Sequence, residues 1–338
     1  MNSAKEVVET DLEYVCQNLA QELRAMAGKE LLIVGGAGFL GYYLVQSILH
    51  ANRTRRAQPA VRVTVYDNYS RGVPSWLTDL SSDPNLTLER HDITDPLPRD
   101  IRDFAYIVHG GSIASPTYYR QHPIETMDAN VNGVRTLLEY ARHQAERGRP
   151  LDGFLFFSSS EIYGDPTPDA IPTPETYRGN VSCTGPRACY DESKRYGETL
   201  CVNFARDVLA GRDIVMLSDG GPKRTFCYVA EAVIGYYKIL VRGHAGEAYN
   251  IGVESPEISV AELADRIAAL GRELVGYRGS VVRKPSADGE YLVDNPARRC
   301  PMIEKARAHL GFDPKISLDD ALRRSFLWYR DNRVAEDL

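Results

Sequence analysis

The chain has 338 residues, 43% of them hydrophobic, enough to bury one large core or two smaller ones. Forty basic residues against forty-six acidic leave a net charge of −6, which speaks against the basic patch of a nucleic-acid binder and against a polybasic membrane anchor. No stretch approaches the roughly 20 apolar residues that span a bilayer. The six cysteines form no C-x-x-C pair and the seven histidines no H-x-x-H or H-x-x-x-H pair, so neither a disulfide scaffold nor a metal site is expected.

The opening residues MNSAKEVVETDLEYV lack the basic start and apolar run of an export signal, so a reducing, cytoplasmic compartment is expected. The sequons at Asn52, Asn68, Asn85 and Asn180 are then chance matches. Over residues 4–27, Val8, Leu12, Val15, Leu19, Leu23 and Met26 recur at intervals of three and four, one face of an amphipathic helix that covers a core. Thr10 with Glu13 offers a capping box, which would start that helix late. Residues 1–28 are therefore set apart from the rest of the chain. Short strand-like runs come next, apolar at 30–34, 106–109 and 153–158, β-rich at 61–66 and weaker at 86–90, with helical stretches between them, notably 38–51 and 123–145. Strands alternating with helices predict an α/β fold of Rossmann type, a doubly wound parallel sheet covered on both faces, over residues 29–200. Beyond residue 165 the chain is richer in Pro, Gly and Thr. Strand-like pieces at 248–251 and 280–283 and helices at 260–270 and 318–330 predict a smaller C-terminal α/β domain over 201–338, with some segments returning to the first sheet.

The first predicted strand runs into Gly35-Gly36-Ala37-Gly38-Phe39-Leu40-Gly41, a G-x-x-G-x-x-G turn that opens a helix. Glycine lets backbone approach a pyrophosphate, and the helix N-terminus turns its N–H groups and positive dipole end toward it. The second strand ends at Asp67, 67 − 41 = 26 residues after Gly41, where an acid hydrogen-bonds a ribose diol and repels a 2′-phosphate, favouring NAD over NADP. Asp92 after the third strand offers an acceptor to the adenine amino group or serves as a plain turn residue. The strand at 153–157 delivers Ser158-Ser159-Ser160-Glu161 to the end of the sheet where ligands bind. Tyr190 and Lys194 stand at i and i+4 on one predicted helix face, where the lysine lowers the tyrosine pKa from about 10 and prepares it to take a proton from a sugar hydroxyl. Ser159 can hydrogen-bond the same oxygen.

The pieces GGAGFLG, VYDNYSRG, HDITDP, SIASPTYY, HPIETMDANVNG, SSSEIYGDP, GPRACYDESKR, KRTFCYV, EAYNIG and DNPARRCP cover nearly all of residues 30–330. On them the chain resembles the extended short-chain dehydrogenase/reductases that act on nucleotide sugars, and within these the UDP-glucuronate decarboxylases. The resemblance implies an NAD-binding domain, a substrate domain and bound NAD contacted by Gly35, Gly38, Phe39, Leu40, Gly41, Asp67, Asn68, Arg71, Asp92, Ile93, Tyr190 and Lys194. It implies catalysis by Ser159, Ser160, Glu161, Tyr190, Lys194 and Arg224. Substrate would be held by Ser115, by Tyr119 on a loop, by Glu161 and Arg224, and by Arg298 on the UDP pyrophosphate. Ser160-Glu161 stands where sugar dehydratases carry Asp-Glu. The implied reaction is C4 oxidation of UDP-glucuronate, loss of CO₂ from the 4-keto sugar and hydride return, giving UDP-xylose. A 4-epimerase or 4,6-dehydratase is the alternative on the same scaffold, and a non-catalytic NAD-binding relative the alternative of another class. A homodimer is implied through four helices, the 123–145 helix and the Tyr190 helix of each subunit.

The chain departs from that family at one place. Lys194 and Arg224 are only 224 − 194 = 30 residues apart, and two family phrases normally separated by a further strand are joined around Phe204–Arg206. A milder departure is His109-Gly110-Gly111-Ser112, where the family usually has His-x-Ala-Ala; glycine there still allows close cofactor approach.

Overall fold

The computed structural model describes residues 1–113, 116–177, 179–180, 189, 214–216, 223–244, 247–284 and 296–332. The chain forms two compact units, one of Leu12–Ser158 with Ala232–Glu247, the other of Met1–Asp11, Ser159–Glu231 and Ala248–Leu338.

Helices α1 (Ala4–Asn18) and α2 (Ala20–Met26) open the chain. The periodicity predicts one helix here, but Leu19 leaves helical geometry at φ −117°, ψ 19° and divides it. The start is early, because Ser3 Oγ accepts the Glu6 N–H at 3.3 Å; Thr10 and Glu13 lie inside α1, not at its cap. Val7, not Val8, is the fully buried valine of the first turns.

The next elements are β1 (Glu30–Val34), α3 (Phe39–Arg53), β2 (Arg62–Asp67), α4 (Ser75–Asp79), β3 (Leu86–Arg90), β4 (Tyr106–His109), α5 (Pro116–Gln121), α6 (Pro123–Glu146) and β5 (Gly153–Phe156). Their five strands form one parallel sheet in the order β3-β2-β1-β4-β5, with Val34 level with both Tyr66 and His109. This is the Rossmann arrangement. Strand order reverses between β1 and β4, the switch point at whose carboxyl ends open sheets of this kind bind ligands. Leu32, Val34, Tyr66, Ile107 and Phe104 pack against Leu137 and Tyr140 of α6. Buried Gln144 holds α6 in place, accepting the Phe104 N–H at 3.1 Å and donating to the Phe104 carbonyl at 2.6 Å.

The second unit begins with a 3-10 turn at Ser160–Tyr163. It also contains β6 (Ile214–Met216), β7 (Lys223–Arg224), the first residues of α7 (Val229–Arg242), β8 (Ile258–Ser259), α8 (Val260–Val275), β9 (Val281–Arg283), β10 (Arg298–Arg299), α9 (Glu304–Leu310) and α10 (Leu318–Asp331). β7 lies between β10, parallel, and β8, antiparallel; β6 pairs with β9. Ser259 and Glu262 close a capping box that starts α8. Leu263, Ile267, Tyr277, Leu322 and Phe326 make the core. The strand expected at 248–251 does not form. Its polar groups are taken up elsewhere: Asn250 N–H donates to Glu175 Oε1 at 2.8 Å, and the Asn250 side chain donates to the carbonyls of Thr173 and Met302.

Candidate functional site

Functional side chains fall in both units, and each group is built on its own elements. In the Leu12–Ser158 unit, the turn after β1 is a cradle shaped by missing side chains. Gly35 sits at φ +79°, and a Cβ there would stand 2.6 Å from the Gly111 backbone nitrogen. Gly38 N-caps α3 with no side chain over the first N–H groups. Across from the turn, a Cβ on Gly111 would stand 3.0 Å from the Val34 side chain, so glycine there lets the turn close against the end of β4. Beside it Ser112 Oγ is buried with no hydrogen-bond partner among the described residues. A cradle lined by backbone N–H groups, a helix N-terminus and an orphaned hydroxyl fits a dinucleotide pyrophosphate.

Asp67 ends β2 and ties the cradle down, accepting from Ala37 N–H at 3.0 Å and from Tyr69 N–H at 2.8 Å. Asn68 donates to Asp92 Oδ2 at 2.9 Å, and Thr94 donates to Asp92 Oδ1 through its N–H and hydroxyl. Burial raises the Asp92 pKa, but the bonds from Asn68 and Thr94 outweigh that and hold it below the usual carboxylate range. Arg71 places its guanidinium 5.8 Å from the centre of the Tyr118 ring. Phe39 is exposed and Leu40 half-buried in the first turn of α3. Ile93 is buried in the core beside β1 and β4, against Gly133 of α6. Tyr119, expected on a loop, lies in α5 and is fully buried.

In the other unit, Ser159 is extended at φ −146°, ψ 147° and its Oγ accepts the Glu161 N–H at 3.2 Å, starting the 3-10 turn. Ser160 is exposed. The turn drives Glu161 inward, to 2% exposure. There both its carboxylate oxygens meet the guanidinium of Arg299. Arg299 is level with Arg224 across the parallel β10–β7 pair, which puts both side chains on one face. Arg224 is buried and donates to the carbonyls of Lys223 at 2.7 Å and Pro296 at 2.6 Å. Arg298, expected at a pyrophosphate, turns to the opposite face and grips Glu257 with two bonds of 2.6 and 2.7 Å. Tyr163 closes the turn from below, its hydroxyl donating to Asn250 Oδ1 at 2.8 Å. Ser115, Tyr190 and Lys194 lie outside the described residues.

Arg299 is the partner of Glu161 that the sequence reading missed. The signal was present: Glu161 needs a cation once buried, and of two adjacent strand arginines only one can face it. Choosing between them takes the register.

A nucleotide cradle at the switch point of a parallel sheet, in a chain whose second unit carries buried charged side chains, defines a dinucleotide-dependent enzyme fold. The chain belongs to the NAD dependent epimerase/dehydratase family, whose sequence profile matches residues 31–208 and 203–252. Its cofactor is NAD. The two matched stretches share residues 203–208, at the joint around Phe204–Arg206. The chain is 30% identical over 339 residues to UDP-glucuronic acid decarboxylase 1 of Arabidopsis thaliana, covering 91% of this chain and 71% of that protein. It is 32% identical over 327 residues to UDP-glucuronic acid decarboxylase 3 of the same plant, covering 86% of each. In structure it is similar to the dTDP-glucose 4,6-dehydratase DesIV of Streptomyces venezuelae, solved with NAD and TYD bound, with a TM-score of 0.74 at 23% identity, covering 90% of this chain and 98% of that one. No helix among the described residues is long and apolar enough to cross a membrane, and no group of three or more His, Cys, Asp or Glu side chains there could hold a metal ion.

Proposed function

We propose that this enzyme decarboxylates UDP-glucuronate to UDP-xylose. The observation that carries the reading is the burial of Glu161, directly after Ser159-Ser160, against the strand pair that bears Arg224 and Arg299. A dehydratase must protonate a departing hydroxyl and keeps an acid for it. A decarboxylase has no such leaving group; it must hold an anionic substituent and then accept the charge that CO₂ leaves behind as an enolate. Arginines beside a carboxylate fixed as an ion suit the second task. The names of the relatives at 30 and 32% identity agree with it.

NAD, when bound, accepts a hydride from the sugar and gives it back. Tyr190, with Lys194 lowering its pKa, takes the C4 hydroxyl proton, and Ser159 hydrogen-bonds that oxygen. Arg224 pairs with the uronate carboxylate, while Ser160 and Glu161 shape the loss of CO₂ and the reprotonation at C5. Asp67 holds the adenosine ribose and the Gly35–Gly41 cradle the pyrophosphate. Ser115 and Tyr119 act on the substrate side, and Arg298 takes part only if substrate draws it from Glu257. Incubation with UDP-glucuronate and NAD, read by NMR, is expected to yield UDP-xylose. A C4 epimer of the uronate or unchanged substrate overturns the reading.

The enzyme acts as a homodimer through α6. Ile124, Met127 and Leu138 are 65, 42 and 50% exposed on the helix face opposite the one that Leu137, Tyr140 and Gln144 bury against the sheet.

A further inference from the structure

We propose that Arg71 and Tyr118 form a clasp across the nucleotide cradle that slows the release of bound NAD; this rests on NAD binding alone and not on the decarboxylase reading. The strand order β3-β2-β1-β4-β5 places β2 and β4 on either side of β1. Arg71 lies in the loop after β2 and Tyr118 in α5 after β4, and the turn after β1 that they flank is the cradle. The Arg71 guanidinium stands 5.8 Å from the centre of the Tyr118 ring, so the two sides of the turn are joined by one contact. A guanidinium is attracted to an aromatic face, and more strongly as water is excluded. Both side chains are exposed, Tyr118 at 53%, which leaves them room to swing apart and admit a ligand.

The backbone on each side of the clasp is tied down. After β2, Tyr69 N–H donates to Asp67 Oδ1 at 2.8 Å, Ser70 N–H to Asn68 Oδ1 at 3.0 Å and Gly72 N–H to the Tyr69 carbonyl at 2.8 Å. These bonds hold Tyr69 at φ +53° and fix where the Arg71 side chain leaves the loop. On the other side, fully buried Tyr119 pins α5, and the Tyr118 carbonyl accepts His122 N–H at 2.8 Å. No carboxylate among the described residues pairs with Arg71, so its charge is left for an anion in the cradle. The NAD pyrophosphate is such an anion. A guanidinium donates from its edge while its face stays on a ring, so one arginine can hold a phosphate and Tyr118 together.

The test follows NADH leaving the full chain by its fluorescence, in a stopped-flow chase with excess NAD. Wild type is compared with Tyr118→Leu, Tyr118→Phe, Arg71→Ser and the double variant Arg71→Ser with Tyr118→Leu. Tyr118 is exposed, so substitutions there remove no core contact. A guanidinium on a ring shifts an equilibrium by about two- to fivefold at an exposed site and by up to about thirtyfold when desolvated. Tyr118→Leu removes the ring, so NADH should leave about 5–30-fold faster, with an association rate constant within about threefold of wild type. Tyr118→Phe keeps the ring and should keep the slow release. Arg71→Ser should speed release further than Tyr118→Leu does, because it also removes the cation that meets the pyrophosphate. In the Tyr118→Leu background it should cost less than in wild type, as contacting partners do. Release from Tyr118→Leu at the wild-type rate overturns the proposal, as does a wild type that holds no NADH. Faster release from Tyr118→Phe as well overturns it by assigning the effect to the hydroxyl. Equal Arg71→Ser losses in both backgrounds leave an arginine on the cofactor but no clasp. No sugar is present in any arm, so a failure to convert UDP-glucuronate sinks the decarboxylase reading without touching this result.

Discussion

Tyr163 shows how much a single polar contact does beneath the Ser159–Glu161 turn. Its hydroxyl is buried and donates to Asn250 Oδ1, while the Asn250 amide nitrogen is committed to two carbonyls. Burial, with the nearby charge of Glu175, pushes the phenol up to about 12, against the opposing bond to Asn250. Tyr163→Phe leaves the Asn250 oxygen buried without its donor and should cost about 1–3 kcal/mol at pH 7. The folded-state pKa lies above the unfolded value of about 10, so the contribution is complete below pH 10 and is lost as pH rises through about 12. Urea midpoints of wild type and variant should therefore converge above pH 10; a gap that stays constant to pH 11.5 contradicts the assignment. At this scale the turn after β1 was legible, because its glycines and Asp67 act through backbone geometry that one-dimensional spacing encodes. The Glu161–Arg299 pair was not, because the two residues are 138 positions apart and meet only through strand register.

The N-terminal helices mark where pattern reading stops working for whole elements. Apolar spacing found the helical segment and most of its buried face, but it assumed that charged residues face water. Asp11 and Glu22 are both buried. Asp11 accepts from the Tyr228 hydroxyl at 2.5 Å and from Arg324 of α10 at 2.6 Å; Glu22 pairs with Arg242 of α7 at 2.7 Å. Each partner lies two hundred or more residues away in sequence, beyond any local period. The two-residue strands β7, β8 and β10 were invisible for the same reason, since only tertiary pairing makes them strands. Removing one member of a buried pair leaves an uncompensated charge, so Asp11→Ala should cost about 3–5 kcal/mol in urea unfolding. Glu13, two residues on in the same helix, provides the contrast. It is over a third exposed; its bonds from Arg56 and Gln17 hold its pKa at about 2, against a small opposing effect of burial. Solvent screens that pair, so Glu13→Gln should cost less than about 1 kcal/mol at pH 7. Because the folded pKa is depressed, that difference is present above the unfolded value near 4.5 and should vanish as pH falls through about 2. An Asp11→Ala loss no larger than that of Glu13→Gln refutes the buried-tie account.

For the whole molecule, the parallel sheet was readable because most of its strands are short apolar or β-rich runs that alternate with helices, and the family match continues on both sides of the joint at residues 203–208. What spacing alone could not supply is which face of α6 remains uncovered. The inner face is committed: Leu137 and Tyr140 are in the core, and Gln144 takes both backbone groups of Phe104. The outer face carries Ile124 and Met127 near the start of the helix and Leu138 about three turns further on, an apolar stripe that gains from being removed from water. A second copy offers the same stripe, and two-fold symmetry lets each face cover its own counterpart. Light scattering of the wild type at micromolar concentration should give about twice 37.7 kDa. Ile124→Glu with Met127→Glu places like charges opposite each other at that face while leaving Leu137, Tyr140 and Gln144 untouched. The double variant should therefore elute as a monomer with an unchanged far-ultraviolet spectrum and retained NAD binding. A wild-type mass of one chain removes the dimer; a double variant that stays dimeric moves the interface off α6.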